Sequence, residues 1–146
     1  MRKPTPLELE VTLAGLAGVI LLGLAESFMG SARPLVYPGW PQWLWLVVVT
    51  PVLEELAFRG FLQTELRQRL DWRMGRISLA NLLTSGVFVL LHWLQSQTLL
   101  ALAVFIPSLV FGYFKDRFNS VKPSIFLHVV YNAAYFYVFG VSSRVL

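Results

Sequence analysis

Six residues of this chain combine chemical capability with suggestive spacing: Glu54, Glu55, Arg59, His92, His128 and Asn132, each set within a long apolar stretch. An ionised side chain near the centre of a bilayer costs about 2.5–3.5 kcal/mol on insertion scales, so such residues need a reason to be there. Glu55 and Arg59 are spaced i, i+4 with the acid first, which favours an intrahelical ion pair that offsets much of its own desolvation. Glu54 projects about 100° further round the same helix, away from that pair. His128 and Asn132 are also i, i+4 and share a helical face. A carboxylate with an imidazole can deprotonate and hold a water, while an imidazole with a carboxamide can donate hydrogen bonds to the oxyanion formed when water adds to a carbonyl. Glu54 and His92 are thus the candidate catalytic pair and His128 and Asn132 the candidate oxyanion donors. Each has a plainer reading by itself: Glu55 with Arg59 as structural glue, each histidine and Asn132 as interhelical hydrogen bonds, Phe88 as core. Their joint occurrence in one small chain is hard to attribute to packing, whereas Glu26 and Asn81 read as structural.

Helices must position these groups. A membrane span needs about 20 mostly apolar residues, and about five segments qualify. The first covers about Leu7 to Phe28 and is too long and flat for a signal peptide. A loop rich in proline and glycine, Gly30 to Pro41, leads to an aromatic cluster of Tyr37, Trp40, Trp43 and Trp45 suited to headgroup level. The second helix runs from about Gln42 to Leu70 and leaves the membrane as a charged stretch, Glu65 to Arg76. The third spans about Ile77 to Leu94, the fourth Leu99 to Phe118 with a kink at Pro107, and the fifth Pro123 to Val141. The expected fold is all-α, a polytopic transmembrane bundle forming one domain over residues 1–146. Counted along the helices, His92 falls near the outer end of the third while Glu54 and His128 fall mid-membrane, so the third helix has to sink or tilt to join them.

The composition agrees. Of 146 residues, 56% are hydrophobic and 14% charged, against roughly 25% charged in soluble proteins, which excludes a soluble domain, a disordered chain and a nucleic-acid module. No cysteine is present, so disulfide and thiolate chemistry are excluded. The net charge of +4 is chiefly a topology signal. With five spans, nine basic residues (Arg2, Lys3, Arg67, Arg69, Arg73, Arg76, Lys115, Arg117, Lys122) fall on one side and two (Arg33, Arg144) on the other, leaving Arg59 as the twelfth, inside. That asymmetry predicts a cytoplasmic N-terminus and an outside C-terminus in the plasma (inner) membrane, with the bilayer itself as a partner.

The order and spacing of the polar residues are similar to the three motifs of the CAAX prenyl protease and bacteriocin-processing family of intramembrane glutamic proteases. Two glutamates followed after three residues by arginine appear as Glu54-Glu55-Leu56-Ala57-Phe58-Arg59, phenylalanine with histidine four residues on as Phe88 and His92, and histidine with asparagine four residues on as His128 and Asn132. The resemblance implies a helical bundle that cleaves peptide bonds near the membrane. It makes Glu54 and His92 the water-activating pair and His128 and Asn132 the oxyanion donors, with Glu55, Arg59 and Phe88 in support. It also implies a membrane-protein substrate, lipidated or bearing a C-terminal sorting tag. Two histidines and a glutamate could instead ligate zinc, but the strong His-Glu-x-x-His signature is missing, so neither metal nor cofactor is expected. Relatives resembling the eukaryotic Ras-converting enzyme carry about eight spans, so this chain is closer in scale to stand-alone bacterial members. The competing readings are a non-proteolytic membrane partner or immunity protein of the same fold, and an ion conduit, which the convergence of the polar residues disfavours.

Overall fold

The computed structural model describes residues 5–29, 39–97 and 100–140. Most of the expected Gly30 to Pro41 loop, Tyr37, the Glu26 side chain and the basic residues Arg2, Lys3, Arg33 and Arg144 lie outside the described residues. The chain divides into two compact units, residues 53–126 and the described parts of 1–52 with 127–146.

In the second of these, helix α1 (Pro6–Met29) opens on a capping box. The Thr5 backbone N–H donates to Glu8 Oε2 at 2.7 Å and the Glu8 N–H to Thr5 Oγ1 at 3.2 Å, satisfying two N–H groups that the first helical turn leaves open. Residues 40–69 are helical throughout, alternating α2 (Trp40–Leu44), π1 (Trp45–Val49), α3 (Thr50–Glu55), π2 (Leu56–Leu62) and α4 (Gln63–Arg69). Trp40 and Trp43 stack at 6.2 Å as part of the expected aromatic cluster. Helix α8 (Lys122–Phe139) packs on α1 at Gly18, where a Cβ would fall on the Tyr131 ring, and the Tyr131 hydroxyl donates to the Ala14 carbonyl at 2.8 Å. Small residues at such a crossing let helices approach closely where lipid supplies no hydrophobic drive.

In the unit of residues 53–126, a tight hairpin joins α4 to α5 (Leu79–Ser96). Strands β1 (Arg73–Met74) and β2 (Ile77–Ser78) pair antiparallel across Gly75 and Arg76, with Gly75 at φ +61°. A positive φ at a two-residue turn is a conformation glycine adopts without steric cost. This hairpin corrects the expectation of a charged stretch running straight into a helix at Ile77. The expected fourth helix is likewise divided, into α6 (Leu100–Ala103) and α7 (Phe105–Phe118), with a break at Val104. Pro107 cannot donate to the Ala103 carbonyl four residues back and crowds it, which ends α6 there.

The interior of this unit is largely polar. Glu55, Arg59, Gln63, Ser78, Asn81, Thr84, Ser85, Ser108 and Ser124 are fully or almost fully buried, while Leu83, Val87, Leu90, Leu91 and Leu94 of α5 face outward. Apolar outside and polar inside is the arrangement a lipid solvent favours. Gln63 Nε2 donates to the Gly112 carbonyl and to Asp116 Oδ1, both at 2.9 Å, and Ser78 Oγ donates to Asp116 Oδ2 at 2.5 Å. Ser78 also caps α5, accepting from the Asn81 N–H at 3.1 Å, and Asn81 Nδ2 donates to the Leu109 carbonyl at 3.0 Å. Gly112 is the close-approach point of α4, α5 and α7, because a Cβ there would land on the Asn81 carboxamide and 2.8 Å from Gln63 Oε1. Gly112→Ala is therefore expected to cost about 1–3 kcal/mol by overpacking despite alanine's better helix propensity. A thermal melt in detergent checks this, and an unchanged midpoint would contradict the close approach.

Among the described residues, two helices, α1 and α5, are long and apolar enough to cross a membrane by length and composition. The other expected spans do not meet that measure for visible reasons. Residues 40–69 are cut into short α and π pieces, the next segment breaks at Val104, and α8 carries Lys122, His128, Asn132 and three tyrosines.

Candidate active site

Arg59 is the centre of the site in the unit of residues 53–126. It lies in π2, directly after the turn that carries Glu54 and Glu55, and its side chain is fully buried. Nη1 is 3.2 Å from Glu55 Oε1, the expected i, i+4 pair, and Glu55 is fully buried as well. Nη2 donates to Ser108 Oγ at 2.6 Å and to the Ser108 carbonyl at 3.0 Å. The guanidinium carbon lies 4.8 Å from the Phe88 ring centre and 5.7 Å from that of Phe111. A planar guanidinium offers donors at its edge and a face that attracts aromatic rings; here Nη2 is hydrogen-bonded, Nη1 is ion-paired with Glu55, and the Phe88 ring lies nearest the guanidinium carbon. Thr64 Oγ1 donates to the Arg59 carbonyl at 3.0 Å, five residues back, as the wider π turn allows.

Phe88 links Arg59 to His92. Its ring meets Phe58 edge-on at 5.0 Å and lies 4.3 Å from the His92 imidazole. His92 Nδ1 is 3.0 Å from the Phe88 carbonyl. A carbonyl can only accept, so Nδ1 carries the proton, and in the neutral ring Nε2 keeps the lone pair. Phe58 and Arg59 meet Phe88, while Gln63 and Asn81 both meet Gly112, so 53–69 and α5 run antiparallel. One turn beyond Phe88 is His92, and one turn back from Phe58 is Glu54. That pairing brings both residues to the same end of the helix pair. Both are half-buried, in contrast to the sealed Glu55 and Arg59.

The other two expected residues belong to the other unit, on α8. His128 is buried and Asn132 half-buried. Asn132 Nδ2 donates to the Leu46 carbonyl at 3.1 Å, within π1, where the altered ladder turns a carbonyl outward. A carboxamide nitrogen has two hydrogens, so this bond orients Asn132 and leaves a second donor. Among the described residues, no group of three or more His, Cys, Asp or Glu side chains is placed to hold a metal ion. Ser108, Gln63 and Asp116 were invisible to motif spacing, and Asn81, read as structural, is a node of the buried network. Their one sequence signal is a small or polar residue every fourth position: 55, 59 and 63 on one helix, 108, 112 and 116 on another.

Fold and site together define a helical membrane protein with a buried ionic centre beside a half-buried glutamate and histidine. The family model for type II CAAX prenyl endopeptidases, Rce1-like, matches residues 36–134, about two thirds of the chain, and the chain belongs to that family. The family is one of proteases. Comparison with curated proteins and with solved structures finds no match.

Proposed function

We propose that the chain is a multi-pass intramembrane endopeptidase, one protease domain over residues 1–146, that hydrolyses a peptide bond near the membrane in a tagged or lipidated membrane protein. The observation that carries this reading is the junction of Arg59 with Phe88, which sets His92 one turn from a buried Glu55–Arg59 pair whose neighbour is Glu54. Glu54 takes a proton from water as its oxygen attacks the scissile carbonyl carbon, and His92 Nε2 accepts a hydrogen bond from the same water. His128 and Asn132 take the oxyanion role that the family resemblance implies. When the carbon–nitrogen bond breaks, Glu54 returns the proton to the leaving amine, so no metal is needed. Glu55, Arg59 and Phe88 hold the frame. The excess of basic residues supports a cytoplasmic N-terminus in a plasma (inner) membrane.

The test is cleavage of a peptide bearing a hydrophobic C-terminal tail by purified protein in detergent, with and without a chelator. Cleavage that survives chelation is expected. Loss on chelation with recovery on added zinc would replace the mechanism with a zinc-dependent one. Inertness toward both tagged and prenylated tails would favour the immunity-protein or partner reading.

A further inference from the structure

One arginine stands beside two adjacent glutamates, and the residue that directs it lies on another helix. Arg59 is i, i+4 to Glu55 and i, i+5 to Glu54. In an α-helix the first spacing is the shorter reach, but Arg59 lies in π2 while both glutamates lie in α3, so the regular α-helical repeat is not carried through to the arginine. The helical repeat by itself therefore does not fix the direction of the guanidinium.

Ser108 on α7 supplies the discrimination. Nη2 makes two hydrogen bonds to this one residue, 2.6 Å to Oγ and 3.0 Å to the carbonyl oxygen. Two acceptors on one nitrogen fix the rotation of the planar fork as well as its position, and the direction of Nη1 follows, 3.2 Å from Glu55 Oε1. The Phe88 and Phe111 rings, 4.8 and 5.7 Å from the guanidinium carbon, offer it no oxygen acceptor that would fix its rotation. The serine pair supplies two such acceptors on one nitrogen. Ser108 is fully buried and lies one residue past Pro107, where the helix has just restarted after Val104.

We propose that Ser108 is a positioning residue for hydrolysis: it commits Arg59 to Glu55 and so settles which glutamate is structural and which serves the water. This rests on the proteolytic reading above. Ser108→Ala removes Oγ but keeps the carbonyl, so the guanidinium stays in place and loses its orientation. A carboxylate drawn into a direct arginine pair is a weaker base, so the defect belongs in the chemical step.

Two measurements test it. In the tail-cleavage assay, Ser108→Ala is expected to lower kcat about 10- to 100-fold with little change in KM, and Ser108→Thr, which keeps the hydroxyl, to restore it. In 15N-arginine-labelled protein in micelles, Arg59, assigned by its loss in Arg59→Lys, is expected to show separate Nη1 and Nη2 signals that merge in Ser108→Ala as the fork becomes free to rotate. Unchanged kcat, equal damage to KM and kcat without rescue by threonine, or Nη signals that stay separate in Ser108→Ala would each overturn the proposal. If the Nη signals respond but wild-type protein cleaves no tail, the proteolytic reading has failed and the clamp has not.

Discussion

Glu54→Gln is expected to leave a folded protein whose cleavage rate is about 10²- to 10⁴-fold lower, the range typical for removing a general base. The amide has the shape of the carboxylate and still hydrogen-bonds, but it cannot take a proton from water. Glu54 is half-buried, so the substitution strands no charge in the interior. His92→Ala should match it. The loss there is the Nε2 acceptor, held in the productive tautomer by the bond from Nδ1 to the Phe88 carbonyl at 3.0 Å. Because the two groups act on one water, their effects should not add: the double variant should be no slower than about the worse single one. Rates measured with equal amounts of folded protein decide it. Cleavage retained by Glu54→Gln would end the glutamic assignment, and strictly additive losses would mean that the two residues act in different steps.

What spacing along one helix can specify was legible before the structure, and what distant segments supply was not. Glu55 with Arg59 is a local relation set by the helical repeat, as is His92 with Phe88. Ser108, 49 residues from Arg59, has no such signature, because a lone serine in an apolar helix is usually a packing residue. The same holds for Gln63 and Asp116, whose meeting depends on Gly112 being bare. Helix existence and type were correct over most of the chain, since apolar runs of this length leave little choice. The hairpin at Arg73 to Ser78 was missed because its strands are two residues each, too short for alternation to register, and only Gly75 marks the turn. The π segments were also missed. They depend in part on which carbonyls acquire donors from distant segments, as Leu46 does from Asn132, and such donors are known only once the fold is formed.

Arg59→Ala tests the frame, and here the expected effect is on stability. The substitution leaves Glu55 fully buried without its cation and removes the two bonds to Ser108 together with the contacts to Phe88 and Phe111. Breaking one side of a buried pair typically costs about 3–5 kcal/mol, most of it the desolvation of the charge left behind. Loss of activity alone would not separate a supporting role from a catalytic one, because an unfolded protein is inactive too. Replacing the pair as a whole does separate them. Glu55→Leu with Arg59→Met carries no buried charge and similar volume, and such exchanges are often neutral or stabilising, so the double variant should recover most of the melting midpoint lost in Arg59→Ala. It should not recover cleavage, because the Ser108 clamp and the charge above Phe88 are gone and nothing then orders the turn that carries Glu54. A melting midpoint of wild-type value in Arg59→Ala would contradict the structural role. Full cleavage by the apolar double variant would show that the ion pair is dispensable to the reaction.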